Sequence, residues 1–205
     1  RAVAVNSRLQ KISSYLGLFD FGTLLLAVGQ YDVGIEVLTK FVDRYPSKEA
    51  LNNLGLCYFH KALSLYRSTL SPGRDDPITN MWLMNPYSSH VPLYLTRSGA
   101  GTKGRSQQIF DASLRNAMQY FELAKTRDRD NVLTLNNLGT VHLLKKELDF
   151  ARAYFKRARK IEAAQAFADN NLGMVSTLEG DYEQAQRYFD KALDFAKSSH
   201  EPLYN

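Results

Sequence analysis

The chain is poor in cysteine: Cys57 is the only one in 205 residues. A single thiol excludes an internal disulfide framework and any multi-cysteine metal site. Long apolar runs are missing as well. The longest, "TLLLAV" at 23–28, is far shorter than the roughly 20 residues a spanning helix needs, so no membrane span is expected. Strong charge of one sign is absent. The net charge is +5, a mild excess that a solvated surface carries, without the clustered basic stripe and stacking aromatics of a nucleic-acid binder. The four histidines, His60, His90, His142 and His200, are scattered, and no H-E-x-x-H or Cys/His cluster exists. No metal, cofactor or catalytic group is therefore expected, and Cys57 reads as a core residue. An initiator Met and a signal-peptide pattern are also lacking. The opening "RAVAVNSRLQKISS" reads as a helix already under way, which suggests a piece of a longer protein whose compartment is not legible here.

What is present is repetition. "LNNLG" stands at 51–55 and at 135–139, and "DNNLG" at 169–173. Gly139 and Gly173 are 34 residues apart, and Ala151, Phe155 and Ala158 recur at the same interval as Ala185, Phe189 and Ala192. Upstream, "GQYDVGIEVLTKFVDRYP" at 29–46 parallels "GDYEQAQRYFDKAL" at 180–193, with Gly34 in the place of Ala185. A fixed period of this length is the signature of a solenoid of helical units, each too small to bury its apolar face alone.

The spacing, Leu-Gly in a first helix and small–aromatic–small in a second, resembles the tetratricopeptide repeat family. The resemblance implies an all-α, right-handed superhelical solenoid of about four helix-turn-helix repeats. They fall at 15–47, 48–131, 132–165 and 166–199, after an N-terminal helix over 1–14 and before a tail at 200–205. Repeat two is too long. Its second-helix set, Ala117, Phe121 and Ala124, comes late, and Gly55 precedes Gly139 by one period plus about 50 residues. An insertion is expected within about 65–112.

In such a solenoid the first helices line a concave groove. The paired asparagines fall at positions five and six of each repeat: Asn52 and Asn53, Asn136 and Asn137, Asn170 and Asn171. Asn is a poor choice for a helix interior, so three pairs in one phase need a cause. One cause is a ladder of amides that grips a peptide backbone, since each amide both donates and accepts. Another is a link between neighbouring first helices. Repeat one has Phe19-Asp20 there, so the ladder ends before it. The other groove positions are Glu49, Leu56, Phe59 and His60; Leu133, Thr140, Leu143 and Leu144; Phe167, Met174, Thr177 and Leu178. Most are apolar. Family members that clamp acidic chaperone tails need Lys or Arg at these positions, and none stands there. An apolar, extended or helical peptide or protein ligand is the expected partner.

The insertion reads as loop over 71–104. Its centre, "NMWLMNPYSSHVPLYL" at 80–95, is too apolar for a free linker. It is expected to pack on the solenoid as an internal ligand or lid, to dock a partner, or to buttress the gap. Trp82, Tyr87 and Tyr94 are its expected anchors. "GAGTKG" at 99–104 matches a dinucleotide-binding pattern, but a repeat helix follows instead of a parallel strand, so it reads as a basic hinge. "KRARK" at 156–160 reads as a solvated convex face. The function expected is a non-catalytic protein–protein interaction scaffold. Two alternatives stand beside it. "LFDFGTLLLAVGQYDVGIEVLTKFVDRYPSKEALNNLG" at 18–55 is similar to the repeat segment appended to some bacterial zinc peptidases, which implies a substrate-recruiting or regulatory part of a larger enzyme. Self-association through the last helix is the other.

Overall fold

The computed structural model describes residues 2–68, 78–83, 91–96, 105–161 and 165–200. The helices are α1 (Ala2–Ala27), α2 (Tyr31–Val42), α3 (Lys48–Ser68), α4 (Arg105–Arg127), α5 (Val132–Leu144), α6 (Leu148–Arg159), α7 (Gln165–Glu179) and α8 (Tyr182–His200). Between α3 and α4 lie two strands, β1 (Ile78–Leu83) and β2 (Val91–Thr96). The chain divides into two compact halves. The first holds α1 to α4; the second holds the strands and α5 to α8.

In both halves the helices associate as consecutive pairs, α1 with α2, α3 with α4, α5 with α6, and α7 with α8. The pairing follows from glycine at each crossing. A Cβ added at Gly139 would lie 2.4 Å from the Phe155 ring, one at Gly173 2.6 Å from Phe189, and one at Gly55 2.5 Å from Phe121. At Gly22 the partner is Leu38, at 2.6 Å. No side chain larger than hydrogen fits, so the opposing aromatic or Leu seats directly on backbone. Phe121, Phe155 and Leu38 are fully buried as a result. Repeats are joined by further apolar contact: Leu135 of α5, Ala158 of α6 and Ala168 of α7 form one cluster, with Tyr154 and Ile161 packed on it.

Helix signals in the sequence are met locally. In α2, Val37, Leu38, Phe41 and Val42 make the buried stripe, with Asp32 in the first turn and Lys40 in the last, the arrangement the helix dipole favours. Asn131 caps α5, its Oδ1 accepting from Thr134 N at 3.0 Å and from Thr134 Oγ1 at 3.1 Å. Three of the turns share one design. Gly29 and Gly180 have φ of 79° and 82°, and the following N–H closes on a helix carbonyl five residues back, Gln30 on Leu25 and Asp181 on Ser176. Between α5 and α6 the same place is held by Lys146, φ 61°, with Glu147 N donating to His142 O at 2.9 Å. A left-handed residue at this point closes the helix end.

α1 is one helix from Ala2 to Ala27. α3 reaches Ser68 and α4 starts at Arg105, so the interruption between them falls within 65–112. One expectation needs revision. The segment expected to be loop contains an antiparallel ribbon, with Ile78 opposite Thr96 and Leu83 opposite Val91. "ITNMWL" and "VPLYLT" are rich in β-branched and aromatic residues. Pro92 is tolerated because a two-stranded ribbon consists only of edge strands. Outside the ribbon, the described elements of the repeats are helices, as expected.

Candidate functional site

The site follows from the helical wheel of the first helices. On α5, Gly139 marks the side that meets α6. Leu133, Asn137, Thr140 and Leu144, spaced four, three and four apart, form a stripe turned away from that crossing. On α7 the corresponding stripe is Phe167, Asn171, Met174 and Leu178, turned away from Gly173. Neither stripe contains a charged side chain. Their centres are closed: Asn137, Thr140 and Asn171 are fully buried, and Met174 is 4% exposed. Their ends are half-buried, and Leu178 is 38% exposed. Leu143 is buried beside the α5 stripe.

Burial on α5 extends around the whole helix. Thr134 to Val141 are buried without interruption, more than two turns, so no side of that stretch meets solvent. The elements packed on α5 in this half are α6, α7 and β1, and β1 also packs on α7. In the first half, α3 is buried in the same way from Ala50 to Cys57, which includes Asn52, Asn53 and Leu56; Phe59 one turn on is fully buried too.

Two of the asparagines at position six, Asn53 and Asn171, turn toward the preceding repeat. Asn171 Nδ2 donates to Asn136 Oδ1 at 2.6 Å, from α7 to α5. Asn53 Nδ2 donates to Thr23 Oγ1 at 3.0 Å, from α3 to α1. Asn170 Nδ2 donates to Asn171 Oδ1 at 3.3 Å. The first two bonds are the inter-helix links weighed above as the alternative to a ligand ladder. The sequence pattern carries them as well as it carries a ladder, because an amide at one phase reaches either way. Asn53 Oδ1 is buried and accepts no hydrogen bond among the described residues.

Several charged groups around the repeats are paired within the chain. Of "KRARK", Arg157 pairs with Asp130 at 2.9 Å and Arg159 with the buried Asp169 at 2.5 Å. Glu179 pairs with Arg152, Asp181 accepts from Gln184 N at 3.0 Å, and Glu183 pairs with Arg187. His142 stacks with Phe150 and with Tyr154, at 5.2 and 5.4 Å, and its Nδ1 meets Glu147 Oε2 at 2.6 Å. Lys145 and His142 hold the Glu147 carboxyl below its ordinary range. Cys57 is buried against the backbone of α2 near Gly34, and burial pushes its thiol up to about 12; such a thiol is no nucleophile. Among the described residues no group of His, Cys, Asp and Glu could hold a metal, and no helix is long and apolar enough to cross a membrane. Trp82 and Tyr94 lie in the backbone of β1 and β2; Tyr87, His90 and "GAGTKG" fall outside the described residues.

Two stretches, 19–64 and 170–199, each match a sequence profile described as Tetratricopeptide repeat. No curated protein matches the chain. Among solved structures, MamA is 17% identical, with a TM-score of 0.41 over 88% of this chain and 96% of that one. A thermophilic TPR protein of Thermus thermophilus is also 17% identical, with a TM-score of 0.47 over 89% and 92%. The matched stretches include the Gly22–Leu38 crossing in the first half and the Gly173–Phe189 crossing in the second. The chain carries tetratricopeptide repeats in each of its two halves.

Proposed function

We propose that the chain is a non-catalytic protein-interaction scaffold whose α5–α7 face takes an apolar peptide segment. The observation that carries this reading is the pair of matched stripes, Leu133–Leu144 and Phe167–Leu178. Two successive repeats present the same sequence of apolar, amide, small or flexible, and apolar residues, with no charge. A peptide lying across them would set apolar side chains against Phe167, Met174 and Leu178. In the first half, Asn53 Oδ1 is a buried acceptor without a hydrogen bond among the described residues. The absence of Lys and Arg from the stripes argues against a ligand held by its carboxylates.

The test is selection of random peptides on the full chain by phage display. Apolar sequences should be enriched, and their binding should fall at least about tenfold with Met174→Glu and Leu178→Glu together, the loss expected from placing charge in an apolar contact. Enrichment of acidic peptides, or binding indifferent to both substitutions, would refute the reading. Self-association has one specific observation in its favour: α8 exposes Tyr182 (71%) and Leu193 (54%). Light scattering across a concentration series, with and without Leu193→Glu, decides it.

A further inference from the structure

We infer that the β1–β2 ribbon is a built-in occupant of the α5–α7 face, seated where a partner's extended segment would lie and displaced when that partner binds. The inference rests on the reading of that face given above.

Three observations lead to it. First, β1 packs on both α5 and α7, the two helices that bear the matched stripes. An extended backbone therefore already spans the two repeats. Second, the centres of the stripes are closed while Leu178 at one end is open. The pair partners α6 and α8 sit on the glycine sides of α5 and α7, and β1 is what the second half adds to these helices besides their repeat neighbours. Third, two strands alone are at best marginally stable in water, and a stripe of Leu, Thr, Phe and Met is costly to leave wet; docking the one on the other would relieve both.

The occupant is also chemically like the ligand proposed. "ITNMWL" is apolar with one amide and no charge, matching the character of the stripes. It is joined to the helices at both ends, through α3 and α4. Tethering raises its effective concentration to the millimolar range, so a partner binds only by beating an internal competitor. The partner's apparent affinity is reduced by the docked-to-open ratio of the ribbon. The partner that fits is a protein segment able to lie as a strand, apolar and free of acidic clusters, in place of Ile78–Leu83.

The experiment uses the full chain with Cys57→Ala and a reporter, Thr140→Cys, at the closed centre of the α5 stripe. The ribbon is opened by Asn80→Pro with Met81→Pro; two adjacent prolines remove a ladder N–H whichever of the two residues faces β2. A second opened form replaces 78–83 with Gly and Ser. Circular dichroism confirms that each is helical. The thiol should label slowly in the parent and at least about tenfold faster in the opened forms. A synthetic peptide of residues 76–98, added in trans, should slow labelling again in the opened forms and have little effect on the parent. Equal labelling of parent and folded opened forms would overturn the occupancy and leave the reading of the face intact. Faster labelling that neither this peptide nor the selected peptides slow would overturn the reading of the face. Loss of helical signal in both opened forms would make the ribbon an integral buttress and overturn its displacement.

Discussion

The Gly139–Phe155 crossing allows a quantitative test of why the helices pair. Gly139→Ala places a methyl carbon 2.4, 2.7 and 2.8 Å from Cε1, Cδ1 and Cζ of the ring. Carbon atoms rest at about 3.5–4.0 Å, so the ring must retreat by roughly 1 Å. Phe155 is fully buried against α5, and its retreat pushes the helices apart or forces the ring off its rotamer. Overpacking of this kind costs about 1–3 kcal/mol. Against it stands the helix preference of Ala over Gly, about 1 kcal/mol. With three ring atoms in conflict the upper part of the range applies, and a net loss of about 1–2 kcal/mol follows. Urea unfolding followed at 222 nm should show it, with a melting temperature about 2–8 °C lower for a chain of this size. The decisive step is a double-mutant cycle with Phe155→Leu. Once the ring is trimmed, the methyl has room, and Gly139→Ala should become neutral or stabilising by up to about 1 kcal/mol. The same loss in both backgrounds, or a gain in the parent, would refute the claim that the ring seats on backbone.

Asn171→Ala strands the buried Asn136 Oδ1 that it serves, so stability should fall by about 1–3 kcal/mol; an effect under about 0.5 kcal/mol would mean the amide faces solvent. Lys146→Gly removes a side chain from a left-handed residue and should raise the urea midpoint, by about 1 kcal/mol in stability. The Cys57 thiol has its folded pKa raised from 9.0 to about 12, so the folded state disfavours the thiolate. Its contribution is fully present below pH 9 and is lost as pH rises from there toward 12. Tyr58 and Tyr120, also raised, act in the same sense. Melting temperature should decline above about pH 9, and Cys57→Ala should make that decline shallower.

The sequence made some of this legible and hid the rest for physical reasons. The crossings could be read because glycine and its partner keep a fixed interval: Leu38, Phe155 and Phe189 each follow their glycine by sixteen residues. Phe121 could be matched to Gly55 across the interruption by the same logic. The ribbon was hidden because Gly and Pro crowd its flanks and Pro92 sits inside it, features that read as loop. The asparagine phase was plain, but its meaning was not. The same position on a first helix suits both a ligand-facing groove and a link to the preceding repeat, and only coordinates show Asn171 reaching Asn136 and Asn53 reaching Thr23. Lys146 gave no signal, since a left-handed lysine looks like any other.

The ribbon between α3 and α4 also sets the order in which the chain can assemble. Three of the Gly contacts close over sixteen residues, but Gly55 must wait for Phe121, 66 residues downstream. Loop-closure entropy adds only about 1.3 kcal/mol for that difference. On the ribosome the delay is larger: at roughly 5–20 residues per second, the extra 50 residues hold α4 back by about 3–10 s. During that interval α3 has its apolar face made and its partner unmade, with α1 and α2 already available to pair. The second repeat is thus the late step in a stack whose other units close locally, and the stage at which a nascent chain is most open to aggregation or to a chaperone.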